Sequence, residues 1–204
     1  MSGASAAART TIVLLAGGSA TRLPGKLSLP IHGEPMLVRI YKRLCDGRRP
    51  CVISARRPLD DAHAKAIDSP VVFDDHGEVG PLGAILTVAA SLTTPLLFAA
   101  AGDLPELEAA FIDDLEAAYD REARSGMAPE AVVPLWPNGD LEPLAALYET
   151  KAVIRAGSEA LKSGRRRVSA MIEGMRVRHF DVRPQDERRL ANVNTRPDYD
   201  LYSQ

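Results

Sequence analysis

Gly17, Gly18, Arg22 and Lys26 stand together directly after the apolar run Thr11-Ile-Val-Leu-Leu-Ala16. Glycine lacks a Cβ, so backbone at this point can turn sharply and lie against a ligand. The amide N–H groups of such a turn point at anions, and an arginine and a lysine add full positive charge. A polyphosphate suits that place. Asp103 closes a second apolar run, Leu96–Ala101, one residue after Gly102. A carboxylate at a strand end beside a polyphosphate suits Mg²⁺, which binds through one or two carboxylates plus phosphate oxygens. The same carboxylate could instead cap a helix starting near Pro105.

Two familiar nucleotide loops do not account for the turn. A P-loop needs Ser or Thr after Gly-Lys and a glycine upstream; here Leu27 follows Gly25-Lys26, and Ala20 stands where that glycine would be. The dinucleotide pattern Gly-x-Gly-x-x-Gly is absent as well. Further candidates are the turn Asp74-Asp75-His76-Gly77 and the segment Gly80-Pro-Leu-Gly83, whose glycines would let a ligand approach a helix start. Arg165-Arg166-Arg167 reads either as a solvated charge run or as a docking place for a phosphate-bearing second substrate. Glu142-Pro143-Leu144 reads as the end of a loop over the site, and Trp136 as part of a packed loop.

Positioning these residues requires an alternation of strands and helices. Thr11–Ala16, Cys51–Ala55, Val71–Phe73 and Leu96–Ala101 read as strands, and their unbroken apolar character suits parallel strands covered on both faces. Pro35 opens a helix with Met36, Leu37, Ile40, Tyr41 and Leu44 on one face. Leu82, Ile85, Leu86 and Ala89 mark a second. Leu107, Phe111, Ile112, Leu115 and Tyr119 mark a third, with Glu106 and Glu108 in its first turn. Arg121–Glu130 reads as a surface loop. Ala131–Leu135 and Leu144–Glu149 follow as strands, Ala152–Leu161 as a helix, and the tail from Arg176 as strand and then loop. This order predicts an α/β fold: an open, mostly parallel Rossmann-like sheet with helices on both faces, in three α/β/α layers. Sites in such sheets form at the carboxyl ends of the strands, where Gly17, Ser54, Asp74-Asp75 and Gly102-Asp103 would converge. Residues 1–10 read as a flexible N-terminus and 11–204 as one domain.

Composition bounds the function classes. The 204-residue chain is 46% hydrophobic and 25% charged with net charge −2, so no global basic field recruits nucleic acid or an anionic membrane. No apolar run reaches the ~20 residues needed to span a bilayer. Cys45 and Cys51 have no metal-ligand spacing and read as plain thiols in a reduced, cytoplasmic setting. The four histidines are scattered.

The segments Leu15-Ala-Gly-Gly-Ser-Ala-Thr-Arg-Leu-Pro-Gly-Lys26, Gly80-Pro-Leu-Gly83, Asp103-Leu-Pro105 and Asn192-Val-Asn-Thr195 together resemble the molybdenum cofactor guanylyltransferase family, a branch of a wider nucleotidyltransferase group with a Rossmann-like fold. The resemblance runs from about Thr11 to Tyr202. It implies that Leu15, Ala16 and Gly17 line the purine and ribose, with Gly18 beside the phosphates, and that Ser54, Asp75 and Gly80 complete the nucleotide site. It implies a catalytic set of Arg22, Lys26 and Asp103, the first two holding the triphosphate and the third holding Mg²⁺. Asn192, Asn194, Arg166 and Arg167 fall where the pterin substrate is expected. Three features depart from the family pattern: a shorter Leu23-Pro-Gly25 loop, Ser54 in place of an asparagine, and Pro197 one position later than the usual proline.

The expected reaction is Mg²⁺-dependent transfer of GMP from GTP to the phosphate of molybdopterin, or of its metal-loaded form, with release of pyrophosphate. An already ionised phosphate needs no general base, so catalysis reduces to alignment and charge neutralisation. Two alternatives stay open. One is CTP as donor, to molybdopterin or to another phosphorylated small molecule. The other is a non-catalytic nucleotide-binding partner that delivers cofactor to a molybdoenzyme.

Overall fold

The computed structural model describes residues 8–17, 23–74 and 79–202. Strand β1 (Thr10–Leu15) is buried along its whole length. Its side chains alternate between two cores: Ile12 and Leu14 pack on one face of the sheet, Val13 and Leu15 on the other. That two-sided covering is why the strand reads as a continuous apolar run. After a 3-10 turn (Lys26–Ser28) the chain makes a two-residue hairpin, β2 (Pro30–Ile31) and β3 (Glu34–Pro35), with His32 and Gly33 both at positive φ. Helix α1 (Met36–Leu44) then begins one residue after Pro35, which occupies its N-cap position.

Strand β4 (Cys51–Ala55), helix α2 (Asp61–Ala66), strand β5 (Val71–Phe73), helix α3 (Pro81–Ala89) and strand β6 (Leu96–Ala101) complete the parallel half. β1 pairs in parallel with β4 on one side and β6 on the other, and β5 extends the sheet beyond β4. The second half carries helix α4 (Ala109–Arg124), strands β7 (Ala131–Leu135) and β8 (Ala145–Glu149), helices α5 (Thr150–Lys162) and α6 (Val168–Ile172), and strand β9 (Val177–Asp181). Two short helices, α7 (Pro184–Glu187) and α8 (Arg196–Asp200), end the chain. The strand order is β5-β4-β1-β6-β8-β7-β9, with β8 antiparallel to both neighbours. Buried side chains of α1 and α4 lie in the core on one face, and those of α3, α5 and α6 in the core on the other. This is the expected mostly parallel, three-layer arrangement. Among the described residues no helix is long and apolar enough to cross a membrane.

Several local expectations need correction. Helix α4 starts at Ala109, so Glu106 and Glu108 are not in its first turn. Glu106 is instead buried and ion-paired with Arg39 at 2.7 Å, an interaction from another helix that local spacing cannot reveal. Arg121–Arg124 is not loop but the last turn of α4. Glu130, at the far end of the same expected loop, is buried, where it accepts from the Arg176 N–H at 2.9 Å and from Arg155 at 2.8 Å. At the N-terminus, Thr10 already belongs to β1, and Arg9 grips Asp120 with both terminal guanidinium nitrogens at 2.6 and 3.0 Å.

Candidate active site

Sequential strands leave β1 in opposite directions, toward β4 on one side and β6 on the other, so a crevice opens beyond their carboxyl ends. A cavity of about 250 Å³ occupies it, and Leu15, Gly17, Lys26, Asp103, Glu142 and Asn192 are in its wall. Gly17, after β1, and Asp103, after β6, therefore face one space. Two close backbone approaches hold the strand ends together. Gly102 N donates to Leu15 O at 3.1 Å, and Ala16 N donates to Ser54 O at 2.8 Å. A Cβ on Gly102 would sit 2.7 Å from Leu15 O, so only glycine fits there.

Lys26 is the hub. Its Nζ donates to Asp103 Oδ2 at 2.5 Å and to Asn194 Oδ1 at 2.9 Å. Gly25, in the left-handed region at φ 68°, turns the chain into the 3-10 segment that carries the lysine. That segment is clamped from α2. His63 is buried, with Nε2 at 3.2 Å from Leu27 O and Nδ1 at 2.8 Å from Asp60 Oδ1, while Ser28 Oγ donates to Asp60 Oδ2 at 3.2 Å. Asp60 also caps α2 by accepting from His63 N, and this bond leads the interactions that hold its carboxyl below the usual range. On the opposite wall, Val193 N donates to Asp103 O at 2.9 Å. Asp198 Oδ2 accepts from Asn194 N at 2.9 Å and Thr195 N at 2.8 Å, a capping box that fixes the Asn-Val-Asn-Thr loop against the lysine.

Asp103 does not cap a helix; its carboxylate faces the cavity. Oδ2 is taken by Lys26, whereas Oδ1 is buried and has no hydrogen-bond partner among the described residues. A buried carboxylate oxygen with nothing to accept from is an unfavourable arrangement unless a ligand completes it. Among the described residues no cluster of three or more His, Cys, Asp or Glu side chains could hold a metal by itself. A divalent ion here would therefore need oxygens from a substrate, as Mg²⁺ commonly does.

The other expected residues distribute around this centre. Ser54 and Gly80 line a recess of about 30 Å³ that adjoins the cavity at Leu15, Gly17 and Pro81. Ala16 lines a broader cleft on the far side of Gly17. Arg166 and Arg167 are exposed beside a groove of about 480 Å³ that meets the cavity at Pro81 and Leu144. Gly18, Arg22 and Asp75 lie outside the described residues. Asp74, next to Asp75, lines the recess, and its Oδ1 accepts from Thr87 Oγ1 at 3.4 Å.

Glu142 is the residue that the sequence underrated. The chain returns through an isolated bridge between Leu135 and Leu141, which brings Glu142 to the cavity wall. Asn192 Nδ2 donates to its Oε2 at 3.4 Å. Burial pushes its carboxyl up from 4.5 to about 6, and the negative charge of Asp103 adds to the effect against the hydrogen bond from Asn192.

Comparison with known proteins gives the family and the fold. The family model of the MobA-like NTP transferase domain matches residues 12–179. The molybdenum cofactor guanylyltransferase of Burkholderia ambifaria (strain MC40-6) is 32% identical over 191 residues, covering 91% of each chain. A probable molybdenum cofactor guanylyltransferase of Thermococcus gammatolerans is 30% identical over 189 residues, covering 91% of this chain and 94% of its own. In fold, the chain is similar to the crystal structure of molybdopterin-guanine dinucleotide biosynthesis protein A from Archaeoglobus fulgidus, with TM-score 0.75, 20% identity, and coverage of 95% and 96%. The chain belongs to the MobA-like NTP transferase family and is a nucleotidyltransferase.

Proposed function

We propose that the chain transfers GMP from GTP to the terminal phosphate of molybdopterin and releases pyrophosphate. The reading is carried by Lys26 bonded to both Asp103 and Asn194, with Lys26 and Asp103 both lining the cavity beyond β1 and β6. The names of the relatives supply the guanylyl donor and the molybdenum cofactor context. A cation and a carboxylate with an open oxygen, beside Gly17 at the end of β1, together match the charge pattern of a metal-bound triphosphate.

In this reading the nucleotide lies over Leu15–Gly17, and its phosphates reach Lys26. The lysine leaves its contact with Asp103 to hold phosphate oxygens. Asp103 would hold Mg²⁺, which when bound neutralises charge on the phosphates. Asn194, fixed by Asp198, keeps the lysine aimed into the cavity. Arg166 and Arg167, in the adjoining groove, receive the anionic second substrate and hold its phosphate in line with the α-phosphorus. One P–O bond forms at the α-phosphorus as the bond to the pyrophosphate oxygen breaks. The attacking phosphate is already ionised at neutral pH, so no side chain removes a proton.

Mass spectrometry of the product formed from molybdopterin and an equimolar mixture of GTP, CTP and ATP tests the proposal. A molybdopterin–guanine dinucleotide is expected, together with pyrophosphate. A cytidine adduct would move the donor to CTP, and absence of any nucleotide adduct would overturn the proposal.

A further inference from the structure

Ser54, one residue before the end of β4, has a hydroxyl with no hydrogen-bond partner among the described residues, and the residue is only 2% exposed. A hydroxyl buried in that state costs stability unless something arrives to complete it. It lines the small recess beside the main cavity, and so does Arg56. The Arg56 side chain lies beside Gly17, its Cγ 3.5 Å from where a Cβ on Gly17 would be. Among the described residues no carboxylate pairs with Arg56. The recess, at about 30 Å³, is too small for a whole base but suits the edge of one.

The polar groups in its wall define which edge. Arg56 offers a planar fork of N–H donors, Ser54 a hydroxyl, and Asp74 a carboxylate. Guanine carries two adjacent acceptors, O6 and N7, matched to a guanidinium fork, and an N1–H and 2-amino group matched to an acceptor. Adenine presents an amino donor where guanine has O6, and cytosine presents one at its corresponding position; both would oppose the Arg56 donors. We infer that Arg56 is the base-reading residue of this enzyme, its guanidinium taking the O6/N7 edge of guanine while Ser54 completes the recess. The inference rests on the nucleotide site proposed above and adds the group that selects the base.

Equilibrium binding of GTP, ATP, CTP and 7-deaza-GTP to the wild type and to Arg56→Ala and Arg56→Lys tests it. The wild type should bind GTP in preference to ATP and CTP, and 7-deaza-GTP, which lacks the N7 acceptor, more weakly than GTP. Arg56→Ala should lose roughly tenfold to a hundredfold in GTP affinity while ATP affinity stays within about twofold. Arg56→Lys keeps the charge without the fork and should remain weak for GTP. Equal weakening of GTP and ATP in Arg56→Ala would assign the side chain to phosphate instead and overturn the inference, as would unchanged GTP binding. Either result leaves the nucleotide site standing, whereas a wild type that binds no nucleotide refutes that site itself. Arg56 is exposed and makes no ion pair with the described residues, so thermal melts of the variants should match the wild type.

Discussion

Replacing Glu142 by glutamine should stabilise the ligand-free protein at high pH and leave it nearly unchanged at low pH. The carboxyl is pushed up from 4.5 to about 6, first by burial and then by the charge of Asp103. At about 1.4 kcal/mol for each tenfold change in proton affinity, holding the ionised form in this wall costs the fold ~2 kcal/mol. The sign follows from the direction of the shift. The folded state binds this proton more tightly than the unfolded chain does. The benefit is therefore complete below about pH 4.5 and is lost as pH rises through about 6. Glutamine keeps the shape and can still meet Asn192, but it does not titrate. Urea unfolding at pH 4 and pH 8 should show the two proteins close at the lower pH. At the higher pH the variant should be ahead by up to ~2 kcal/mol, or roughly 4–8 °C in melting temperature for a chain of this size. Asp103→Asn in both backgrounds should narrow the gap, because one of its causes is then gone. A difference between wild type and Glu142→Gln that is the same at both pH values would refute the reasoning.

Asp103→Asn and Lys26→Ala should each lower kcat/KM for pyrophosphate release by about 10²–10³, by analogy with removal of one electrostatic stabiliser; a variant that keeps a tenth of normal activity would remove that residue from the chemistry. Chelation with EDTA should abolish turnover and Mg²⁺ should restore it, so activity that persists through exhaustive chelation would count against the metal. Gly102→Ala drives a methyl against Leu15 O and should destabilise by roughly 1–3 kcal/mol in denaturant unfolding, with turnover falling too; a neutral result would mean the strand ends separate freely. His63→Ala removes the bridge between Asp60 and Leu27 O and should cost about 1–3 kcal/mol. It should also raise the KM for nucleotide through the loosened Lys26 turn, whereas a loss of stability with KM unchanged would make His63 scaffolding alone.

The parallel half of the fold was legible because its information is local. β1 and β6 are covered on both faces, so their sequences carry unbroken apolar runs whose ends coincide with Gly17 and Gly102. The start of α4 was not legible. Glu106 looks like a first-turn acid, but Arg39 and Arg43 draw it into an ion-paired cluster two residues before the helix N-cap. In the site, Lys26 and Asp103 stood out through residue type and position. The junction of Lys26 with Asn194 spans 168 positions and was not legible; the family resemblance singled out Asn194 for the pterin substrate instead. Glu142 read only as the end of a loop over the site, and its burial was not legible because it results from the chain folding back through the Leu135–Leu141 bridge. His63 was equally silent: Asp60 can be read as a helix cap, but nothing in the sequence points from the imidazole to the carbonyl of Leu27, 36 positions away.

The contact between Lys26 and Asp103 would give the cavity a lock that opens to one kind of key. An anion arriving alone would have to pull the lysine away and strand the carboxylate, while a cation arriving alone would strand the lysine. A visitor carrying both signs of charge, such as a metal-chelated polyphosphate, satisfies the two ends at once. In the proposed reading the same ion pair would select against free phosphate and free metal.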